Sequence, residues 1–438
     1  MSTTQRTLVL VLLFAAAALT AAPSCGSGSD SSGTIADDDQ PTPTPGNADD
    51  DATPTPTPGA DDDTTPPDDD TTPGDDTTPG DDDTTPTAPC DTADLPLHLI
   101  QLPTGFKICV WAKDVPAARQ LALGEAGTVF LGTTQNRVYA LRDEDGDHRA
   151  EKKFTIAEGL NAPNGVAFRD GDLYVGEVSR ITRYLDIESQ LASPPVPQVV
   201  TTEYPTDTHH GTKFIKFGPD GKLYVPVGAP CNVCEKEDAR FASITRINAD
   251  GSGQEIFARG IRNTVGFDWQ PGTGDLWFTD NGRDWLGDDL PSDELNRAQT
   301  AGLHFGFPFC HQGDTLDPEL GLGRNCADYV APALKTGAHV AGLGMRFYTG
   351  SMFPAKYQGG IITAQHGSWN RASKVGYRVM FVGVSGSATT DYEPLATGWL
   401  QGEQYFGRPV DVLVMTDGSV LVSDDFAGLV YRISYGAK

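Results

Sequence analysis

Short apolar runs, each opened by a glycine and closed by polar residues, recur along the last two thirds of the chain. They read Gly127-Thr-Val-Phe-Leu131, Gly171-Asp-Leu-Tyr-Val175, Gly221-Lys-Leu-Tyr-Val225, Gly274-Asp-Leu-Trp-Phe278, Gly359-Gly-Ile-Ile-Thr363 and Gly418-Ser-Val-Leu-Val422. Runs this short, rich in β-branched and aromatic residues, predict buried strands. The Gly218-Pro219-Asp220-Gly221 stretch before the third is tight-turn chemistry. Successive glycines are 44, 50, 53, 85 and 59 residues apart, which is one four-stranded blade per interval except the fourth. Six copies predict an all-β fold, a six-bladed β-propeller over residues 91–438. Stacking the blades around an axis covers faces that a lone four-stranded sheet leaves wet. The long interval implies an insertion, holding Cys310 and Cys326.

Ahead of this region the pattern changes twice. Arg6 precedes an apolar run, Leu8 to Leu19, too short to span a bilayer comfortably, so residues 1–24 read as a signal peptide. Residues 25–90 read as a disordered acidic linker. From residue 26 to 90 there are 18 acidic side chains, no Lys or Arg, and one large aliphatic residue, Ile35. Such a stretch cannot bury enough apolar surface to offset its ordering entropy. Lipidation of Cys25, after Ala22-Pro23-Ser24, is favoured over cleavage near Ala21 and Ala22, because a stiff tether after an isolated cysteine suits a head held off a membrane. The expected location is the periplasm or cell surface, with membrane contact only through that anchor.

Removing the linker changes the meaning of the net charge of −28: residues 91–438 carry 42 acidic and 31 basic side chains. Mild acidity without a basic face excludes a nucleic-acid surface. Six cysteines remain beyond Cys25, and sequence proximity pairs 90 with 109, 231 with 234, and 310 with 326. Cys231-Asn-Val-Cys234 is followed by Glu235 rather than the histidine of haem attachment and has no second Cys-x-x-Cys, so a structural bridge is expected there.

Several segments place reactive side chains beside predicted strands. His209-His210 enters the third repeat, and histidine is the commonest general base. Gly260-Ile261-Arg262-Asn263 sets a permanent cation beside a bifunctional amide. Asp280-Asn281-Gly282-Arg283-Asp284 follows the fourth repeat, with Asp288, Asp289, Asp293 and Glu294 beyond it; this reads as oxygen donors for calcium or as an exposed acidic loop. Asp143, Asp145 and Asp147 alternate as in a calcium loop without its bidentate glutamate; they read as an exposed hairpin and, second, as a calcium site. His366-Gly-Ser-Trp369-Asn370-Arg371 and Gly407-Arg408-Pro409-Val410-Asp411 place polar donors beside later strands, and Trp369 can stack on a flat ring.

Taken in order, His210 before FGPDGKLYV, the Gly-Ile-Arg262-Asn263 turn, Asn281-Gly282, and the GLGMRFY, HGSWNR and GRPVDV segments resemble the soluble quinoprotein aldose dehydrogenases, in particular their sorbosone dehydrogenase branch. The similarity runs over about residues 97–436. It implies a six-bladed propeller binding pyrroloquinoline quinone (PQQ) and calcium in a cleft at one end of the axis, and oxidation of an aldose or sugar aldehyde with electrons passing to a periplasmic acceptor. By this resemblance His210 is the catalytic base and Arg262 stabilises negative charge on the cofactor. Arg262, Asn263, Asn281, His339 and Arg408 would contact the cofactor, and the carbonyls of Gly282 and Arg283 would bind calcium. The chain departs from the family where Val410 replaces a second clamping arginine. The family's lysine falls near Gln365 or His366, leaving His366, Arg371 or Lys374 as substitutes. Two other readings accompany this one: a calcium-dependent lactonase in which His210 activates water, and a non-catalytic propeller that binds glycans or protein.

Overall fold

The structure, a computed structural model, describes Thr92 and residues 94–436. The expected signal peptide, Cys25 and the linker lie outside the described residues, as does Cys90; Cys109 is half of a disulfide. Among the described residues there is no α-helix, only strands and three-residue 3₁₀ turns. Six sheets of four antiparallel strands each, one of them extended by a fifth, parallel strand, form a six-bladed propeller. From the axis outward, blades one to five begin with Ala118–Leu123, Gly165–Arg169, Lys216–Phe217, Phe267–Trp269 and Gly342–Phe347.

Each glycine-led repeat is the second strand of its blade, Val129–Thr133, Asp172–Gly176, Leu223–Val227, Leu276–Asp280, Ile361–Gln365 and Val420–Asp424. All six repeat glycines have positive φ, from 72° to 85°, which explains the spacing: the hairpin before each second strand needs a left-handed residue. The Gly359 copy, in which a second glycine follows the first, behaves like the others.

Blade six is assembled from both ends of the described chain. Pro409–Val414, Val420–Asp424 and Leu429–Tyr435 supply three strands, and Phe106–Ala112 pairs antiparallel with the last of them. Phe106, Ile108 and Val110 are buried in that closure, each contributing about 1.5–3 kcal/mol. Phe106 meets Phe353, Tyr357 and Tyr435 edge-on at 4.7–5.2 Å.

Polar staples tie the innermost strands together. Gln120 of blade one donates to the Ile215 carbonyl at 2.7 Å and accepts from Val166 and Ile215 amides at 3.2 and 2.9 Å, joining blades one, two and three. Asp411 accepts the Leu121 amide at 2.9 Å and pairs with Arg346 at 3.2 Å, joining blades six, one and five. Buried polar groups satisfied in this way fix one register of the ring.

The long interval is an insertion between the third and fourth strands of blade four, Ser292–Ala298 and Leu334–Ala338. Leu303–His304 runs parallel to Glu255–Arg259, the outermost strand of blade three, and the Cys310–Cys326 bridge ties the insertion to itself. The Cys231–Cys234 bridge forms as expected.

Candidate functional site

Strands one and two of a blade are antiparallel, so segments entering strand one and segments leaving strand two meet at the same end of the ring. At that end lies a cleft of about 200 Å³ lined by His210, Asn263, Asn281, His366, Arg408 and Asp425, among others. A recess of about 30 Å³ adjoins it, lined by Arg262, Gly282 and His339, and shares Asn281 and Trp369 with the cleft. A larger groove of about 500 Å³ lies to one side, along Arg371, Arg378 and Tyr377, and does not include the histidine.

His210 sits in the turn before Lys216–Phe217 with φ 50°. Its Nδ1 lies 2.7 Å from the Ala229 carbonyl. A carbonyl only accepts, so Nδ1 carries the proton and Nε2 keeps its lone pair. Nε2 has no protein partner among the described residues. Burial, then the charge of Arg262 and of His209, holds the imidazole well below its ordinary value. Neutral imidazole with a free Nε2 is the state of a proton acceptor.

Gly228, on the segment leaving the second strand of blade three, makes this placement possible. A methyl group there would lie 2.5 Å from His210 Cβ and 3.2 Å from Asn263 Oδ1. Gly228→Ala is expected to push the imidazole aside, lowering kcat by about 10²-fold while costing about 1–3 kcal/mol of stability. Parallel turnover and denaturation measurements check this; unchanged turnover would show that His210 need not stay where it is.

Arg262 and Asn263 are held by their backbone. Asp280, the last residue of Leu276–Asp280, accepts the Arg262 amide at 2.9 Å and the Asn263 amide at 2.6 Å. Asp293 likewise accepts the amides of Gly282 and Ala341, both at 2.7 Å. Burial pushes both carboxyls, and that of Glu294, above the ordinary range. These are buried struts under the site; the exposed-loop reading holds only for Asp288 and Asp289.

The Arg262 guanidinium is occupied by protein. It donates to the Asn232 carbonyl at 2.9 Å, to Asn232 Oδ1 at 3.0 Å, and to Asp284 at 3.0 Å. Asn232 lies within the Cys231–Cys234 loop, so that bridge presents the residue that orients Arg262. Arg262 therefore lines the recess while His210 lines the cleft, close enough for its charge to depress the imidazole.

A second cationic wall was not fully visible in the sequence. Asp425 accepts from Arg119 at 3.0 Å, from Arg408 at 3.1 Å, and lies 3.0 Å from His366 Nε2. Burial opposes the Asp425 charge, but His366 and the two guanidinium groups outweigh it and hold the carboxyl well below its usual range. Two arginines against one carboxylate leave a positive surplus facing the cleft. Arg119 thus adds a second guanidinium to the cleft wall beside Arg408. Arg371 instead binds the Asp288 carbonyl and Asp289 beside the groove, and Lys374 pairs with Glu403, so neither reaches the cleft. Val410 is buried with Val265 and Leu343, an apolar floor. His339 Nε2 donates to the Gly287 carbonyl at 2.8 Å in the recess.

Cofactor fit can be tested on unpaired atoms. Asn281 Oδ1 is buried without a hydrogen-bond partner, and no donor among the described residues reaches the carbonyl oxygens of Gly282 or Arg283. Oxygens on three successive residues, left without donors, suit a hard cation. The Arg283 side chain is turned away, paired with Asp317 and Glu319 of the insertion at 2.5 and 2.9 Å. The Arg119–Arg408 wall suits an anion. Asp143, Asp145 and Asp147 lie with Glu151, ligand oxygens within 4.8 Å of one another, in the blade-one hairpin at the opposite end of the ring.

Residues 181–368 match the family model Glucose / Sorbosone dehydrogenase. An uncharacterized protein of Borreliella burgdorferi is 30% identical over 362 residues, covering 77% of this chain and 91% of the relative. A calcium structure of a Trichoderma reesei Carbohydrate-Active Enzymes Family AA12 protein superposes with TM-score 0.68 at 20% identity, covering 77% of this chain and 97% of that one. The holo pyranose dehydrogenase PQQ domain of Coprinopsis cinerea gives 0.65 at 17% identity, covering 76% and 97%. The PQQ-bound aldose sugar dehydrogenase of Streptomyces coelicolor gives 0.56 at 18% identity, covering 76% and 99%. At these identities the structures establish the propeller, and the sequence matches establish that the chain carries a Glucose / Sorbosone dehydrogenase domain over residues 181–368 and is related to the Borreliella protein over most of its length.

Proposed function

We propose that this protein oxidises an aldose or sugar aldehyde, sorbosone-like in class, with PQQ and calcium in the cleft. The observation that carries the reading is His210, whose Nδ1 bond to Ala229 leaves Nε2 unprotonated on a cleft-lining residue. Nε2 takes the proton of the C1 hydroxyl as the carbonyl forms. Arg119 and Arg408 would hold the carboxylates of the cofactor; Asn263 would contact it; Asn281 Oδ1 and the Gly282 and Arg283 carbonyls would hold calcium. When bound, PQQ supplies the two-electron acceptor for the C1 hydride and calcium polarises it. Arg262, anchored by Asn232 and Asp284, contributes a fixed positive charge beside that position. Residues 1–24 would direct export, Cys25 would carry the anchor, and 25–90 would serve as tether, placing the propeller near a periplasmic electron acceptor.

Titrating the purified protein with PQQ and calcium, while following PQQ absorbance and dye reduction across a sugar panel, tests this. Saturable binding with sugar-dependent reduction is expected. Neither binding nor reduction, or lactone hydrolysis in PQQ-free buffer, would overturn it.

A further inference from the structure

Trp285 is placed where packing gives no return for it. Its side chain is 67% exposed, and its backbone has φ 70°, a conformation that bulky residues avoid. Left-handed strain of this kind persists when the surroundings impose it, and it concentrates at ligand sites. Here the surroundings are explicit. The preceding residue, Asp284, donates its amide to Asn232 Oδ1 at 2.8 Å, accepts from Asn232 Nδ2 on its carbonyl at 3.2 Å, and accepts from Arg262 and Asn370 on its carboxylate at 3.0 and 3.2 Å. Trp285 is thus held out rigidly from the rim. Its ring stands edge-on to Trp369 with centroids 5.4 Å apart at 83°. Trp369 lines both the cleft and the recess, whereas Trp285 lines neither. The indole therefore lies one ring outside the wall of the cleft.

We infer that Trp285 is a stacking platform for a second sugar ring, so that the protein takes di- or oligosaccharides whose terminal ring enters the cleft. This rests on the sugar reading above and names its substrate class. A pyranose presents a C–H face that an exposed indole can cover, and hydroxyls at its edge that the exposed carboxylates of Asp288 and Asp289 and the guanidinium of Arg371 can bind. One indole face is far smaller than the roughly 800 Å² per partner of a stable protein interface, and the rim around it is charged, which fits a sugar unit rather than an apolar protein surface.

The test is calorimetric titration of the full-length protein, without added cofactor, with cellotriose, maltotriose and glucose. One trisaccharide is expected to bind more tightly than glucose; Trp285→Ala should weaken that trisaccharide about tenfold, and Trp285→Tyr should restore most of the loss. Unchanged trisaccharide affinity in Trp285→Ala, or an effect confined to reduction of a protein electron acceptor, overturns the inference. PQQ-dependent oxidation of free aldoses with no trisaccharide preference would sink this inference alone; Trp285-dependent trisaccharide binding without PQQ binding would sink only the dehydrogenase reading.

Discussion

Replacing His210 by glutamine is expected to lower kcat by about 10²–10⁴-fold, the usual contribution of a positioned general base. Glutamine is similar in reach and its amide can still donate to the Ala229 carbonyl, which now fixes Nδ1 at 2.7 Å. What it lacks is a nitrogen able to take a proton. The loss should therefore fall on kcat and leave thermal stability close to wild type. The pH profile supplies an independent readout. Burial first, and the neighbouring charges of Arg262 and His209 after it, move the folded imidazole below 6.5. Protonation removes the base, so activity is lost only as pH falls through that lowered value. The acidic limb of kcat in wild type is expected well below pH 6.5 and should vanish in the variant. Turnover within about tenfold of wild type in His210→Gln, or an acidic limb at or above pH 6.5, would rule out His210 as the base.

The repeat glycines made the fold legible because each marks a backbone demand, positive φ at a hairpin, that a sequence must meet locally. The same register locates much of the site. Counting seven residues on from the repeat glycines reaches Thr134, Val178, Gly228, Asn281, His366 and Asp425. Thr134, Asn281, His366 and Asp425 line the cleft, and Gly228 abuts His210. Position within the blade was thus a better guide than residue type, and it would have found Asp425 and Gly228. Arg119 had no such signal: it precedes its repeat, and its partner Asp425 is 306 residues away. Pairings of that span, like the closure of blade six by Phe106–Ala112, follow from ring geometry and leave no local trace. Two of the motifs behind the family resemblance have a structural role as well, since Arg346 of GLGMRFY and Asp411 of GRPVDV form one ion pair near the axis. The acidic run after the fourth repeat misled for a related reason. Asp280, Asp293 and Glu294 read as loop carboxylates by composition, yet they sit on paired strands with their side chains buried.

Asp280→Ala is the most disruptive substitution expected near the site that leaves every lining side chain in place. Removing the carboxylate strands the buried amides of Arg262 and Asn263, now accepted at 2.9 and 2.6 Å. An unpaired buried donor costs about 1–3 kcal/mol, so the pair predicts a loss of about 2–6 kcal/mol in urea unfolding. The sign of its pH dependence follows from burial, which raises the folded carboxyl above 3.8 despite those amides and Arg262. In the folded protein Asp280 therefore binds protons more tightly than in the unfolded chain, and its contribution declines as pH rises through the folded value. The gap between wild type and Asp280→Ala should accordingly be wider at about pH 5 than at about pH 8. Function should suffer beyond stability, because the same two amides set where Arg262 and Asn263 stand relative to His210. Folded variant protein at low temperature is expected to show a loss of turnover that the conservative Asp280→Asn, which keeps one acceptor oxygen, partly restores. A midpoint within about 0.5 kcal/mol of wild type, together with full turnover, would show that the Arg262–Asn263 turn holds its shape without this strut.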